Sequence, residues 1–135
     1  MGSGLNWLAV TAVGGGAAIG AWLRWGLGLW LSNINTSAHT HVQAGTLAAN
    51  LIGGYLIGMA LGFFSHHPHL SPEWRLFVVT GFLGGLTTFS SFSAESMVLL
   101  QRGDYGWALA HTLLHLVGAL LLCIAGFATW RALRG

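Results

Sequence analysis

Residues 81–96 read GFLGGLTTFSSFSAES and begin inside an uncharged apolar run that extends from Leu76 to Ala94. Glycines weaken the first half of this stretch as a helix, and hydroxyl side chains crowd its second half. Inside hydrocarbon, freed backbone groups and hydroxyls are costly unless they face protein, water or an ion. We therefore predict a membrane-spanning helix that is broken near Gly84 and Gly85 and whose polar groups face an ion.

The composition is that of a membrane protein. Of the 135 residues, 54% are apolar and 6% are charged, whereas soluble domains carry about 25% charged residues. The few charges leave four long uncharged stretches, and a helix needs about 20 apolar residues to cross a bilayer. We predict one all-α membrane domain over residues 1–135 with four transmembrane helices, at residues 5–31, 44–64, 73–101 and 105–133.

Glycines four residues apart mark two of these predicted helices. Gly16 and Gly20 form a pair on the first helix. Gly54, Gly58 and Gly62 form a doubled GxxxG pattern on the second. Because small residues at this spacing let helix backbones approach closely in a membrane, each of the two helices is expected to pack tightly against a neighbour.

The arginines do not fix an orientation in the membrane. If both termini lie on one side, the two sides carry nearly equal numbers of arginines, and the positive-inside rule then selects neither direction. The chain would insert both ways, so that two opposed copies could pair. Four helices also enclose little polar surface, and we therefore predict an antiparallel, dual-topology homodimer. The division is Arg75, Arg131 and Arg134 against Arg24 and Arg102.

Uncharged donors and aromatic edges in the third helix suit an anion. Phe89 and Phe92 are three residues apart and share a helix face. A phenylalanine ring has a positive edge, and hydroxyls and the amide of Asn50 donate hydrogen bonds without formal charge. Such groups can replace an anion's hydration without trapping it. Packing phenylalanines and hydroxyls bonded to preceding carbonyls are the alternative, but the density of TTFSSFS, residues 87–93, favours an ion path.

Three motifs resemble the small fluoride channels of the Fluc (CrcB) family, over essentially the whole chain. They are GGGAAIGAWLRW at residues 14–25, GTLAANLIGGYLIG at residues 45–58 and GFLGGLTTFSSFSAE at residues 81–95. The resemblance implies a dual-topology antiparallel homodimer with two fluoride pores and a central structural sodium ion. It also implies passive, fluoride-selective efflux through a multi-pass protein of the inner or plasma membrane.

The resemblance assigns roles to residues by their place in these motifs. Phe89 and Phe92 match the phenylalanine pair of the pore, and Asn50 matches the polar residue of helix 2 beside it. Gly84 and Thr87 match the residues whose backbone carbonyls bind sodium. The neighbouring hydroxyl positions of the pore correspond to Ser90, Ser91 and Ser93.

Other positions leave alternatives open. His115 takes a helix 4 position that is often polar in the family, but Ala119 stands where a hydroxyl is expected one turn later, so a pore contribution from this helix would come from Thr112 or His115. Arg24 matches the arginine of the first motif, where it either attracts anions near a vestibule or anchors a helix end. Glu95 is given no conduction role and is expected to cap the far end of helix 3.

The histidines raise a metal interpretation. His111 and His115 are four residues apart on one helix face, a spacing that can bind zinc. Cys123 lies two turns beyond His115, so the sequence places no third ligand, and metal transport is disfavoured. The loop histidines, His66, His67 and His69, are expected to be solvated.

Three further classes of protein are weighed against a channel. A proton-coupled small multidrug exporter, or a related small-solute transporter, needs an intramembrane carboxylate, and helix 1 has none. An enzyme needs a nucleophile with a base, and no such pair emerges. A purely structural membrane subunit would suit the glycine faces but would not explain the TTFSSFS stretch.

Overall fold

The computed structural model describes residues 5–35 and 41–135, which are helical and contain no strand. The predicted domain of residues 1–135 also includes residues 1–4 and 36–40, which lie outside the described residues. We number the helices in chain order and treat residues 72–86 as one helix, α3. The helices are α1 (Trp7–Trp30), α2 (Ala44–Ser65), α3, α4 (Phe89–Gln101) and α5 (Tyr105–Arg134), and a 3₁₀ turn, Leu31–Asn35, follows α1.

The helix α3 changes its geometry along its length. It begins as an α-helix at Pro72–Arg75, continues as a π-helix at Leu76–Leu83 and ends as an α-helix at Gly84–Leu86. Proline suits the first position, because its missing N–H would be unpaired there in any case. Eight residues of π-helix are unusual, since this geometry mostly appears as single-turn bulges near functional sites.

Three helical segments of the described chain are long and apolar enough to cross a membrane. They are Ala44–Ser65, Pro72–Gln101 and Tyr105–Arg134. With 24 residues, α1 extends about 36 Å at 1.5 Å per residue, but Arg24 and its glycines reduce its hydropathy. The prediction of several membrane-spanning helices is confirmed, whereas the count of four stays a prediction.

Large apolar side chains cover the outside of the helices. Trp22 and Ile124, for example, are each 66% exposed. The buried core contains mostly small or aliphatic residues, including Ala49 and Leu86. An apolar exterior over a core of small side chains suits a protein surrounded by lipid, where close backbone contact contributes more than hydrophobic burial.

The glycine pair of α1 packs against α3. A Cβ atom on Gly16 would lie 2.8 Å from the backbone nitrogen of Phe82, and one on Gly20 would lie 2.7 Å from that of Leu86. Either position would require the backbones to separate. The predicted close approach of another helix to Gly16 and Gly20 is therefore confirmed.

The glycine face of α2 packs against α5 in the same way. A Cβ atom on Gly54 would lie 3.2 Å from the Cα of Ala119, and one on Gly58 would lie 2.9 Å from the backbone nitrogen of Phe127. At Gly62 the obstacle is the ring of Trp130. The doubled GxxxG pattern thus correctly predicted a packing face.

A two-residue extended link separates α3 from α4. Thr87 has φ −86° and ψ 156°, and Thr88 has φ −150° and ψ 119°. The predicted break near Gly84 and Gly85 is confirmed, but both glycines are still helical, and the chain leaves the helix at Thr87, two residues beyond Gly85. Gly85 instead permits close packing, since a Cβ atom there would lie 3.0 Å from the Cα of Ala17.

Candidate functional site

The side chain of Asn50 binds the backbone of the break. Its Oδ1 accepts a hydrogen bond from the N–H of Thr88 at 2.8 Å, and its Nδ2 donates to the carbonyl of Thr88 at 3.0 Å. An interrupted helix leaves backbone groups without intrahelical partners, and in a membrane these must be satisfied by protein. Asn50 satisfies two of them, and this pairing fixes which way its amide faces.

The orientation of Asn50 in turn determines the tautomer of His115. Nδ2 of Asn50 also lies 3.0 Å from Nδ1 of His115. Because Nδ2 can only donate, Nδ1 must accept, and the neutral ring then carries its hydrogen on Nε2. His115 is 6% exposed, and its Nε2 has no hydrogen-bond partner among the residues that the structure describes. The arrangement therefore holds a buried, uncharged N–H donor without an acceptor.

The phenylalanine pair lies beside this histidine. Phe89 is 79% exposed, and its ring centroid is 5.5 Å from that of the half-buried Phe92. Phe92 is stacked on His111 at 5.0 Å with an interplanar angle of 9°, and its ring also lies 5.0 Å from that of His115. The phenylalanine pair therefore lies between the break and the two histidines of α5, His111 and His115.

The hydroxyls of the stretch have mainly local partners. Thr88 caps α4, because its Oγ1 accepts from the N–H of Ser91 at 3.1 Å. Ser90 lies with its Oγ 3.1 Å from the same atom, and the Oγ of Ser93 donates to the carbonyl of Phe89 at 2.8 Å. Ser90 and Ser93 are exposed. The interpretation of hydroxyls bonded to nearby groups therefore holds for part of the stretch.

An open groove of about 710 Å³ passes the break and collects most of the predicted site. Its walls are mainly apolar, and its polar side chains come from α2, α5 and the link. Thr112 and His115 both line it, so α5 contributes to the groove despite Ala119, which lines it as well. Ser90, Ser91 and Ser93 do not. The remaining predicted residues on its walls are Asn50, Gly84, Thr87, Phe89 and Phe92.

Glu95 and His111 form a polar pair that the sequence prediction missed. Oε1 of Glu95 lies 3.1 Å from Nε2 of His111, and its Oε2 accepts from the hydroxyl of Thr46 at 2.6 Å. His111 is fully buried, and its Nδ1 lies 3.0 Å from Oγ of Ser96. The expectation that Glu95 caps the end of its helix is wrong, because it lies in the middle of α4 and joins three helices.

A signal for this pair exists in the sequence. A tight turn at Gly103, with φ 77°, connects α4 to α5, so residues equidistant from it face each other in an antiparallel hairpin. Glu95 and His111 each lie eight residues from Gly103. The helix period alone could not reveal this contact, since the period compares residues within one helix.

Arg24 also contacts the break. Its Nε donates to the carbonyl of Gly85 at 3.1 Å. A positive charge at the carboxyl end of a helix is favourable, because unpaired carbonyls give that end a partial negative charge. Neither sequence interpretation of Arg24, the vestibule or the helix end, included this contact with α3.

The end of α3 leaves further carbonyls for which a cation would be a suitable partner. The last carbonyls of a helix have no intrahelical donors, and α3 ends at Leu86. Gly85 and Thr88 obtain donors from Arg24 and Asn50. The assignment of sodium to the carbonyls of Gly84 and Thr87 stays a prediction from the resemblance.

Comparison with known proteins identifies the family. A family described as "CrcB-like protein, Camphor Resistance (CrcB)" matches residues 11–127. The chain belongs to the CrcB family. The resemblance that the three sequence motifs indicated is therefore confirmed, and the family's match includes the Asn50 position, the break and both phenylalanines.

Relatives of this CrcB protein match nearly its full length. One from Cupriavidus pinatubonensis is 59% identical over 126 residues, which are 93% of this chain and 97% of the relative. One from Polynucleobacter asymbioticus is 52% identical over 128 residues, or 95% and 99%. One from Pseudomonas putida is 54% identical over 127 residues, or 94% and 97%. All three are named fluoride-specific ion channel FluC.

Proposed function

We propose that this protein is a fluoride-selective ion channel that lets fluoride leave the cell passively through the plasma membrane, which it crosses several times. The observation that carries the proposal is the set of neutral donors at the break. Asn50, held by Thr88, leaves the N–H of His115 buried and without an acceptor. A channel needs such donors to replace water around an anion, and their neutrality allows the ion to leave again.

The groove supplies the other components of an anion path. Phe89 and Phe92 can offer ring edges with partial positive charge, and Thr112 adds a hydroxyl whose hydrogen otherwise bonds to Ala108 at 2.9 Å. Fluoride, as a small anion, fits between such groups more readily than chloride does. This chemistry supports transport of an ion without catalysis, so we assign the protein no enzymatic role.

A second protomer would complete the site. The groove is open along its side, and Phe89 extends from this protomer with 79% of its surface exposed. In the antiparallel homodimer that we propose, the partner covers this opening, and Ser90, Ser91 and Ser93, which do not line the groove of one protomer, face the path that the two protomers form together. Four helices of each protomer, including α1, then cross the membrane.

A sodium ion is part of this proposal. The carbonyls of Gly84 and Thr87 belong to the interrupted end of α3, and a hard cation takes oxygen ligands. Broken helices present carbonyls to sodium in this manner in other membrane proteins. Its role is structural, since it would join the breaks of two opposed protomers.

Ion efflux from liposomes tests the proposed function. The purified protein is reconstituted into liposomes loaded with fluoride or chloride, and efflux is followed with ion-selective electrodes after valinomycin is added. We expect fluoride efflux without a proton gradient and little chloride efflux. Equal chloride efflux would contradict selectivity, and efflux that requires a proton gradient would indicate a coupled exporter instead.

Thiol labelling in cells tests the opposed arrangement. Cysteine at residue 5 and cysteine at residue 133 are introduced separately and together into a Cys123→Ala background, and labelling by a membrane-impermeant thiol reagent is measured in cells. Opposed protomers predict that about half of each cysteine is labelled from outside. Labelling of all or none would show that every copy inserts in the same direction.

A further inference from the structure

Two histidines of α5 and one carboxylate of α4 converge inside the protein. Glu95, His111 and His115 each offer a ligand atom, and these atoms lie within 4.8 Å of one another. Both histidines are buried, and Glu95 is half-buried. Neither the sequence prediction nor the family resemblance gives these three residues a common function.

We propose that Glu95, His111 and His115 form a binding site for one divalent transition-metal ion of the zinc type. Two imidazoles and a carboxylate are a ligand set that Zn²⁺ and Co²⁺ accept, with a fourth position left for water. Tetrahedral ligands at 2.0–2.1 Å from the metal are separated by about 3.3 Å. Glu95 and His111 are already 3.1 Å apart. To bind the metal, His115 has to move inward, and the hydrogen that Nε2 of His111 donates to Glu95 has to move to its Nδ1, where Oγ of Ser96 can accept it.

The unpartnered nitrogen of His115 is an independent indication of a ligand. Of its two ring nitrogens, Nδ1 accepts from Asn50, whereas Nε2 is buried without a partner among the described residues. A buried polar atom without a hydrogen bond is destabilising, because it has lost its water and gained no partner. A coordinated metal would remove this cost, and Nε2 can bind it once its hydrogen has moved to Nδ1.

Metal binding at Nε2 of His115 affects the break between α3 and α4, because it requires a change in the tautomer of His115 that Asn50 fixes. The metal needs the lone pair of Nε2, so the hydrogen must move to Nδ1, where it faces the N–H of Asn50. Asn50 would then have to turn its amide and lose its pairing with Thr88. The native amide therefore opposes metal binding and weakens it.

Replacing Asn50 with aspartate should reverse this opposition. The carboxylate of Asn50→Asp accepts from the Nδ1–H of a metal-bound His115 and, through its other oxygen, from the N–H of Thr88, and it loses only the bond that the amide donated to the carbonyl of Thr88. Carboxylates that orient ligating histidines in this way change metal affinity by about 10–100-fold. We expect Asn50→Asp to bind the metal at least tenfold more tightly than the native protein.

Cobalt titration of the purified, detergent-solubilised protein provides the test. Co²⁺ gives visible absorption whose intensity reports low coordination number, and Zn²⁺ competes it away. We expect one Co²⁺ per chain and at least a tenfold loss of affinity in His111→Ala and in Glu95→Gln. His69→Ala is the matched control, because His69 is an exposed loop histidine, and it should bind Co²⁺ as the native protein does.

The Asn50→Asp variant distinguishes binding at the three proposed ligands from two other effects, which are misfolding and a nonspecific attraction of the metal to the added negative charge. A gain in affinity cannot arise from unfolding, and a gain that disappears in the Asn50→Asp, His115→Ala double variant must act through the histidine. A gain that persists without His115, or Co²⁺ affinity that falls in His69→Ala but not in His111→Ala, would overturn the proposal.

The effect of the metal on ion flow rests on the proposed function and has its own measurement. Because His115 lines the groove, Zn²⁺ should inhibit fluoride efflux from liposomes, and His111→Ala should reduce that inhibition relative to its own metal-free rate. Co²⁺ binding in a protein that releases no fluoride would support the site while removing the proposed function. Fluoride release from a protein that binds no Co²⁺ would support the proposed function and overturn the metal site.

Discussion

Replacing Asn50 with leucine removes the side chain that holds the break and keeps a similar volume. The native amide makes three hydrogen bonds, two to the backbone of Thr88 and one to His115. Each bond contributes about 1 kcal/mol net, so Asn50→Leu should lower the free energy of unfolding by about 3 kcal/mol. The half-buried site leaves the freed groups of Thr88 little water as a replacement.

The same substitution should also slow ion flow. A hydrogen bond to a charged group is worth about 1.5–3 kcal/mol, and each 1.4 kcal/mol added to a barrier slows the rate about tenfold. Both hydrogens of Nδ2 are used on Thr88 and His115, so the donor that fluoride loses is the N–H of His115, whose tautomer Asn50 fixes, and efflux should be slower by about 10–100-fold. Efflux from liposomes and unfolding in mixed SDS and maltoside micelles measure the two effects separately.

Thr129→Val is the matched control for this prediction. It removes the one hydrogen bond that Thr129 makes to another helix, the 2.7 Å contact with the hydroxyl of Tyr55, together with the local bond that its hydroxyl donates to the carbonyl of Ala125 at 2.8 Å, at a place remote from the groove. We expect it to cost about 1 kcal/mol of stability and to leave fluoride efflux unchanged. If Asn50→Leu were no more destabilising than Thr129→Val, or conducted fluoride at the native rate, the role given to Asn50 would be refuted.

Five other substitutions have definite expected outcomes. Phe89→Ile or Phe92→Ile should abolish fluoride efflux while the protein elutes at its native size, because an aliphatic group lacks the positive ring edge; native efflux in both would remove the rings from the path. Gly58→Val should lower the free energy of unfolding by about 1–3 kcal/mol through overpacking, whereas Gly106→Ala, whose added Cβ meets nothing within 4 Å, should cost nothing measurable in the same micelle assay. Arg24→Gln should cost about 1–2 kcal/mol by losing both a charge at the end of α3 and the bond to its carbonyl; unaltered unfolding would contradict that contact.

Local patterns were sufficient to predict the helices and their packing faces. The apolar run between two polar, turn-rich loops placed the boundaries of α2 within one residue, and the four-residue spacing of Gly16 and Gly20 identified the face that contacts α3. Both properties depend on residues within one helix. Asn50 was identified as a site residue from its place in a motif, although its bonds to Thr88 could not be derived from the sequence.

The position of the break shows where local patterns are insufficient. Glycine has low helix propensity, so Gly84 and Gly85 were the obvious candidates, yet tertiary packing keeps both helical. The chain leaves the helix where Asn50 can satisfy Thr88 and where Thr88 can cap the next helix. These partners are 38 residues apart in the chain, and no propensity within the stretch contains that information.

The π-helical segment of α3 has a consequence for insertions and deletions. Phe77, Gly81 and Gly85 recur every four residues and all meet α1, although an α-helix with 3.6 residues per turn would rotate such a row gradually sideways. The π-helical turns are wider, because their hydrogen bonds span five residues. They rotate the row in the opposite direction and so keep it facing α1. Removing a single residue from Leu76–Leu83 would convert the segment to ordinary α-helix. The start of α3 would then rotate away from α1. The protein should therefore tolerate a change of side chain within this segment more readily than a change in the length of the segment.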